Sequence, residues 1–569
     1  MTPSPPRQNR SPITHTHPPH VFTTTQAQAE PEARGEALQQ LSKPPHSMNA
    51  PFLTLAGGSP GSSKDSMDNK DPPMLPAQPR VYAARYHQLA LLCALILTNA
   101  VVWVAFSAIT PATAFVFGVS SAWINLVALS FQICFLPGTV VGYGLMERWG
   151  LRATLLTGGV LTTVGAALRL ISLYVPPASY GGGSGSGAYV LLLLGTCLAA
   201  LAQPLLLNLP PQLAGQWFAV KQRDVVTSLA FMCSPLGNAV GVAVAPAFVG
   251  EGGEGGHGGT SARDGLRLFL LVQLVVVAAT TVWAWLGVKD RPPSPPSRTA
   301  ALLVQQQQDK QHEREQQHQP SIPTWQALKI DLHRCLVLNP SFRLLFLCFG
   351  LGLGFFNALL TLVGQLLSPC GYTDNESGAL GGIFLGTGLI GALLAGLILD
   401  ATHRYSLCLK GGFMGAWAAS LLFISALRPD NFAFLATSFA LLGFWMLPLL
   451  PVAIDNGVEI TYPEAPEFFS SGLLLSAGNL AGLPLAALFS VAIDRYKGSC
   501  RVFWKPAAVF VFCVTTLCAF PILVYRPERF GRWEAEKQQR RQQQQQQQQG
   551  RVGEGGEGEG QIGEGCGRV

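Results

Sequence analysis

Two stretches of this chain place an acid beside arginines at the end of a long apolar run. The first reads Gly144-Leu145-Met146-Glu147-Arg148-Trp149-Gly150-Leu151-Arg152, and the second reads Gly396-Leu397-Ile398-Leu399-Asp400-Ala401-Thr402-His403-Arg404. Read by themselves, such groups make a short turn with anchoring charges. Asp455 and Glu459 form a third acidic pair, four residues apart and so on one helix face. They have two readings: a gate that pairs with nearby Arg or Lys, or a solvated helix end. A further set of polar side chains sits inside apolar runs: Asn99, Gln132, Arg169, Gln203, Asn208, Asn357, Gln365 and Asn479. Polar groups in hydrocarbon are costly and tend to face a bundle interior or a cavity. Each is open to a ligand role or to a plain interhelical hydrogen bond, worth only ~0.6 kcal/mol on average. Asn99 and Trp103 share a face, and Trp103 lies mid-run, away from the interface where tryptophans usually anchor. Arg169 has three readings: pairing with an acid, binding an anionic group, or snorkelling to an interface.

Other chemistries lack their residues. The chain has no H-E-x-x-H, no G-x-x-x-x-G-K-[ST] and no C-x-x-C. It is therefore not itself an ATP-driven pump, and no catalytic, metal or cofactor constellation is expected. The glycine run Gly350-Leu351-Gly352-Leu353-Gly354 lies inside an apolar run, where packing or helix bending explains it better than phosphate binding.

The elements that position these residues follow from composition. The chain has 569 residues, of which 12% are charged, about half the ~25% of soluble domains. Apolar residues make up 49%, and the mean hydropathy is +0.30. Too little charge is present to coat a soluble globule of this length. An ordinary soluble enzyme, a basic nucleic-acid binder and a disulfide-rich secreted domain are excluded; a polytopic membrane protein remains. A bilayer core of ~30 Å needs about 20 apolar residues per helix. Twelve runs qualify: 88–110, 122–145, 153–175, 188–209, 224–249, 266–288, 342–368, 378–399, 408–427, 431–454, 470–493 and 502–525. None alternates as a strand would. The expected fold is an all-α polytopic membrane protein with twelve transmembrane helices in two six-helix halves.

The expected organisation is a disordered cytoplasmic tail over 1–85, a six-helix half over 86–288, a cytoplasmic linker over 289–340, a second half over 341–525, and a disordered Gln/Gly-rich tail over 526–569. A short amphipathic helix is expected over 324–338. His15, His17 and His20 are better explained by a flexible polar tail than by a metal. With the N-terminus inside, the inner loops hold Arg148, Arg152, Lys221, Arg223, Arg404 and Lys410, as the positive-inside rule requires. The 494–505 loop, with Arg495, Lys497, Arg501 and Lys505 outside, runs against it. Both termini are expected in the cytoplasm and the protein in the plasma membrane, with an organelle membrane as the alternative. Cys370 and Cys500 fall in non-cytoplasmic loops and are a candidate disulfide pair. The glycines Gly382, Gly386, Gly391 and Gly396 suit close helix packing.

The two acid–arginine loops fall at equivalent places in the halves and resemble the inter-helix motif of the major facilitator superfamily, roughly G-x-x-x-D-R-x-G-R-R. The resemblance implies a relay of Glu147, Arg148, Arg152, Asp400 and Arg404 that latches the halves and releases as they rock. Here Glu147 replaces Asp, Tyr143 holds the usual Gly position, Leu151 replaces one Arg, and the second copy lacks the later Gly. Three further pieces resemble the feline leukaemia virus subgroup C receptor family, carriers associated with choline, ethanolamine and haem. They are Asn99-Ala100-x-x-Trp103; Leu201-Ala202-Gln203 leading into Leu209-Pro210 and Gln216-Trp217-Phe218; and Val458-Glu459-Ile460-Thr461-Tyr462-Pro463-Glu464 followed by Ser470-Ser471-Gly472-Leu473-Leu474.

That likeness implies a substrate site of Trp103, Gln203, Asn99, Asn357 and Asn479. Trp103 matches a tryptophan that faces a quaternary ammonium, a contact worth ~0.5–2 kcal/mol. Asn357 stands where choline carriers have an aromatic residue, so Phe355, Phe356 or Trp445 would have to supply a second cage wall. The function expected is alternating-access transport of a small organic solute, choline-like or haem, by a protein acting as a monomer in the lipid bilayer without nucleic acid. The alternative is a non-transporting receptor or scaffold working through its low-complexity tails.

Overall fold

The chain divides into two units, Met1–Pro73 and Met74–Val569. The structure, a computed structural model, describes residues 82–175, 186–249, 258–294, 324–367, 370–494, 506–527 and a few of 531–545. The expectations for the N-terminal tail, the Gln-containing part of the linker, the 494–505 loop with Cys500, and the Gln run near the C-terminus lie outside these residues.

Among the described residues, eleven helices are long and apolar enough to cross a membrane. One of them, Ser121–Ser172, has 52 residues, and a straight helix of that length would run roughly 75 Å. It instead turns at Gly150, whose φ of 78° and ψ of −169° are non-helical. Only glycine takes that backbone without strain. The element is therefore two spans, and the total among the described residues is twelve. In order, spans 1 and 4–9 are Ala84–Val104, Ser186–Leu207, Arg223–Val249, Gly258–Gly287, Pro340–Leu367, Asp374–Thr402 and Tyr405–Ala426. Spans 2 and 3 are the two arms of Ser121–Ser172. Span 10 is Phe432–Met446 continued by Leu449–Thr461, span 11 is Glu467–Asp494, and span 12 is Pro506–Leu523.

Some boundaries differ from the apolar runs. Span 1 ends at Val104 rather than near 110, and a separate helix Thr110–Phe117 follows, with Pro111 in its first turn. Proline lacks an N–H and cannot continue a helix that arrives from before it, but it suits a new first turn. Span 4 stops at Leu207 and resumes as a short helix over Pro210–Trp217, and span 10 is interrupted at Leu447-Pro448. Spans 4 and 10 hold the same place in the two halves. Matched interruptions of this kind mark the substrate region in carriers with internal repeats.

The halves share one packing plan. Span 1 packs on 5, 2 on 4 and 3 on 6; span 7 packs on 11, 8 on 10 and 9 on 12. The closest crossings use glycine. The Gly165 and Gly195 backbones touch where spans 3 and 4 cross, and Gly391 and Gly443 meet the Phe444 and Phe384 carbonyls where spans 8 and 10 cross. Gly382 and Gly386 instead face open space, so the packing expectation holds only for the later glycines of span 8. Large apolar side chains such as Leu194, Val275, Ile390 and Leu517 stay exposed on the outside, as a lipid-facing surface requires.

Candidate functional site

The halves meet chiefly along two pairs of helices, spans 2 and 11 and spans 5 and 8, with span 10 also against span 5. Near the end that carries the linker these contacts form a seal. On the first side, Gly142 lies against the Phe468 ring, and Tyr143 packs edge-on to Phe469 with centroids 5.3 Å apart. Deeper in, the Ser471 hydroxyl donates to the Asn208 carbonyl at 3.2 Å and the Ser476 hydroxyl to Thr139 Oγ1 at 3.3 Å. Gly472 leaves just enough room for Thr139 and the Asn208 amide. The Asn208 break in span 4 therefore exposes a carbonyl that span 11 uses.

On the other side, both Asp400 carboxylate oxygens accept backbone N–H groups at the start of span 5, from Asp224 and Val225, each at 3.0 Å. A helix start presents unpaired N–H groups and a partial positive charge, so a carboxylate is favoured there. The Tyr405 hydroxyl donates to Asp224, 3.0 Å from each carboxylate oxygen. Asp224, Asp455 and Glu459 are all buried, and their charges reach Tyr405. This removes the solvated-helix-end reading of Asp455 and Glu459. Sequence patterns missed Asp224 and Tyr405; the available signal was an acid in the first turn of span 5, opposite the Asp400 loop.

The expected relay residues occupy this end, with differences of detail. Glu147 and Arg148 each make contacts. The backbone N–H of Arg152 donates to Asp290 Oδ1 at 2.7 Å, which ties the Gly150 turn to the end of span 6. Arg404 occupies the N-cap position of span 9 without a side-chain capping bond. Tyr143, the departure from the motif's Gly, donates to Asp331 Oδ2 at 2.7 Å. Asp331 belongs to the linker helix Thr324–His333, which continues as a π-helical turn over Arg334–Leu338. The expected amphipathic helix is thus present, and it is fastened to span 2.

The expected substrate residues do not all converge. Trp103 is half-buried, its indole N–H donates to the Ala128 carbonyl at 3.2 Å, and its ring stacks on Phe131 at 5.9 Å. Next to Phe131, the buried Gln132 has an Oε1 with no hydrogen-bond partner, facing Gly482 of span 11. Asn479, one turn from Gly482 and one turn from Ser476, lies on that same seam and donates to its own helix at Leu475. Asn99 is placed elsewhere. Its amide donates to Thr162 Oγ1 and the Ala199 carbonyl at 3.1 and 2.9 Å, joining spans 1, 3 and 4 inside the first half. Gln203 is buried in span 4, and Asn357 is half-buried in span 7. Gln132 was noted in the sequence only as one polar residue among many.

The proposed cage walls are otherwise engaged. Trp445 packs on Gly415 of span 9 and against Phe444. Phe355 meets Phe489 edge-on, and Phe356 stacks on Phe384. Phe355 and Phe356 also line an apolar cavity bounded by Pro235, Phe413, Met446 and Cys518. Arg169 is fully buried, so it does not snorkel. It donates to the Val102 carbonyl at 2.8 Å and lies 4.3 Å over the Phe106 ring. Among the described residues, no carboxylate forms an ion pair with it.

The Major Facilitator Superfamily profile matches residues 91–466. Solute carrier family 49 member A3 of Xenopus tropicalis is 29% identical over 417 residues, which is 72% of this chain and 78% of that one. The choline/ethanolamine transporter FLVCR1 of Mus musculus is 28% identical over 429 residues, covering 73% of this chain and 71% of its own. FLVCR2 of Homo sapiens, also named a choline/ethanolamine transporter, is 24% identical over 427 residues, or 74% and 73% of the two chains. Among solved structures, the proton:xylose symporter XylE aligns with a TM-score of 0.60 at 14% identity, over 80% of this chain and 99% of its own. The fucose transporter FucP in its outward conformation aligns at 0.57 and 15%, over 78% and 98%. Twelve spans, a shared packing plan in each half and a match along most of the bundle lead to one conclusion: the chain belongs to the Major Facilitator Superfamily.

Proposed function

We propose that the protein moves a small organic cation of the choline type across a membrane by alternating access. As a superfamily member it is a multi-pass secondary transporter and not an enzyme. The substrate class is suggested by the relatives named for choline and ethanolamine. The observation that carries it is the Trp103–Phe131 stack beside the unpartnered Gln132 amide oxygen on the seam. Phe131 stacks on the indole, and the half-buried Trp103 would offer its remaining ring surface to a cation. The Gln132 oxygen offers a hydroxyl or ammonium donor an acceptor at no cost in broken bonds. Neither group carries a formal charge, which suits a soft, weakly hydrated cation. Glu147, Arg148, Asp400, Asp455 and Glu459 would govern opening of the linker end.

The orientation reading is that the linker end faces the cytoplasm. Cys370, between spans 7 and 8, is disulfide-bonded, and disulfides persist in oxidising space. That supports a reading in which the opposite end lies outside or in a lumen, as in a plasma membrane carrier.

The test is uptake of radiolabelled choline by the purified protein in proteoliposomes, with ethanolamine and haem assayed in parallel. Saturable choline uptake above empty vesicles is expected. Uptake at the empty-vesicle level overturns the cation reading. If no solute moves and cellular function is lost on deleting 1–80 and 530–569, the scaffold reading takes its place.

A further inference from the structure

The linker helix has two unlike faces. Its inner face carries Asp331 and Cys335, both buried. Asp331 takes the Tyr143 hydroxyl from span 2, in the first half. Three residues on, Arg334 donates to the Glu464 carbonyl at 3.0 Å, and Asn339 donates to the Ile460 carbonyl at 3.0 Å, both at the end of span 10 in the second half. The helix is therefore a strap tied to both sides of the seal.

The outer face is exposed, and among the described residues it has no protein partner that explains its composition. Trp325, Leu332, Val337 and Leu338 are exposed apolar side chains. Lys329, His333, Arg334 and Arg343 are exposed basic ones. Between 324 and 343 the one acid is Asp331, and it is turned inward. The Lys329 ammonium lies 5.1 Å over the Trp325 ring.

The position of the bilayer surface fixes what covers this face. Span 7 starts at Pro340, and its exposed side changes from Arg343 to Leu347 within one turn. Headgroups therefore lie near Arg343 and hydrocarbon near Leu347, with Val337 and Leu338 just before them. Tryptophans collect at this level. Trp149 in the span 2–3 turn is 62% exposed, Trp285 at the end of span 6 is 62% exposed, and Trp325 is 61% exposed. All three stand at the linker end. An apolar and basic helix face at the level of an aromatic belt matches the rule for interfacial helices, and its charge selects anionic lipid.

We propose that this helix is a lipid-reading strap: its outer face docks into the anionic headgroup layer beside span 7, and docking holds the Asp331 and Arg334 ties that keep the linker end sealed. The carried solute does not enter into this.

The full-length protein can be reconstituted in vesicles of phosphatidylcholine alone or with phosphatidylserine added. Brominated lipid should quench a fraction of the tryptophan fluorescence that disappears in Trp325→Phe. Spin labels at Lys289 and Leu407, exposed at the linker end of the two halves, should report a shorter distance when phosphatidylserine is present. The double variant K329Q/H333Q should lose most of that lipid dependence while keeping the wild-type distance distribution in phosphatidylcholine. Both side chains are exposed and leave the Asp331 and Arg334 ties intact. Equal quenching in wild type and Trp325→Phe overturns the proposal. So does a Trp325 quenched by aqueous iodide instead, which would leave the face for a soluble protein partner. An unchanged phosphatidylserine response in K329Q/H333Q overturns the lipid-reading step.

Discussion

The Tyr405 hydroxyl stands 3.0 Å from both carboxylate oxygens of Asp224, in the opposite half of the protein. Asp224 is buried, so its charge depends on the donors around it. Tyr405→Phe removes one and leaves an acceptor in a dry seam, which costs about 1–3 kcal/mol. The cost falls on the sealed state alone, because the two residues part when the halves rock. The linker end should therefore open more often, read as faster labelling of a cysteine introduced at Val225. Asp400→Asn should act in the same direction by weakening the charge-assisted bonds to the start of span 5. Unchanged labelling in both variants would remove this gate.

Two glycine variants separate seal from scaffold. A Cβ on Gly472 would sit 2.6 Å from Thr139 Cγ2 and 2.7 Å from Asn208 Nδ2, across the boundary between the halves. Gly472→Ala should shift the protein toward the open linker end with little loss of thermal stability. A Cβ on Gly443 would meet the Phe384 carbonyl within the second half. Gly443→Ala should lower the melting temperature instead, by an overpacking cost of about 1–3 kcal/mol. Thermal unfolding in detergent, paired with linker-end accessibility, tells the two apart.

Cys335 reports on the strap. Burial, with Asp331 and Glu464 nearby, pushes its thiol up to about 12. Only the thiolate reacts, so at neutral pH a maleimide should modify it slowly, and the rate should climb with pH past the ordinary thiol range. Tyr143→Phe breaks the tie to Asp331 and should speed modification at fixed pH. If wild type and variant react alike, the strap does not shield Cys335.

Among the described residues nine cysteines are free thiols and Cys370 is not, which leaves Cys500 and Cys566 as its possible partners. In sequence, Cys500 falls between the end of span 11 at Asp494 and the start of span 12 at Pro506, which makes it the expected partner. Cys500→Ser should make Cys370 alkylatable without prior reduction. Cys566→Ser should not.

Trp103→Ala should weaken uptake of a cationic solute by roughly 2- to 30-fold in KM, the equivalent of about 0.5–2 kcal/mol of cation–π contact. Trp103→Phe should lose less, and transport of a neutral solute should not change. Equal KM in wild type and Trp103→Ala would end the cation–π role.

The twelve spans were readable because each needs about 20 apolar residues, and composition alone reveals that. Asp400 was readable because an acid at the end of an apolar run recurs in both halves. The partners of Asp400 were not: Asp224 lies 176 residues away, and no local pattern links them. Tyr143 looked like a lapse from a motif, and only the fold shows that its hydroxyl holds Asp331. Asn99 and Gln132 look alike in sequence, each an amide inside an apolar run. What separates them is neighbours: Asn99 finds a threonine and a carbonyl inside its own half, while the Gln132 oxygen finds none at the seam.

The seal and the scaffold are made of different materials. Within each half, backbones touch through glycine, and water cannot replace such a contact once it is broken. Between the halves, beside the Gly142–Phe468 and Tyr143–Phe469 ring contacts, the polar contacts are Ser471, Ser476, Thr139, Asn208, Tyr405 and Asp400, meeting hydroxyls, carbonyls, a carboxylate and one helix start. Every one of these polar groups can be hydrated after it is released. Parting the halves therefore exchanges one set of hydrogen bonds for another with water, and the protein can open its linker end without exposing groups that only another protein surface could satisfy.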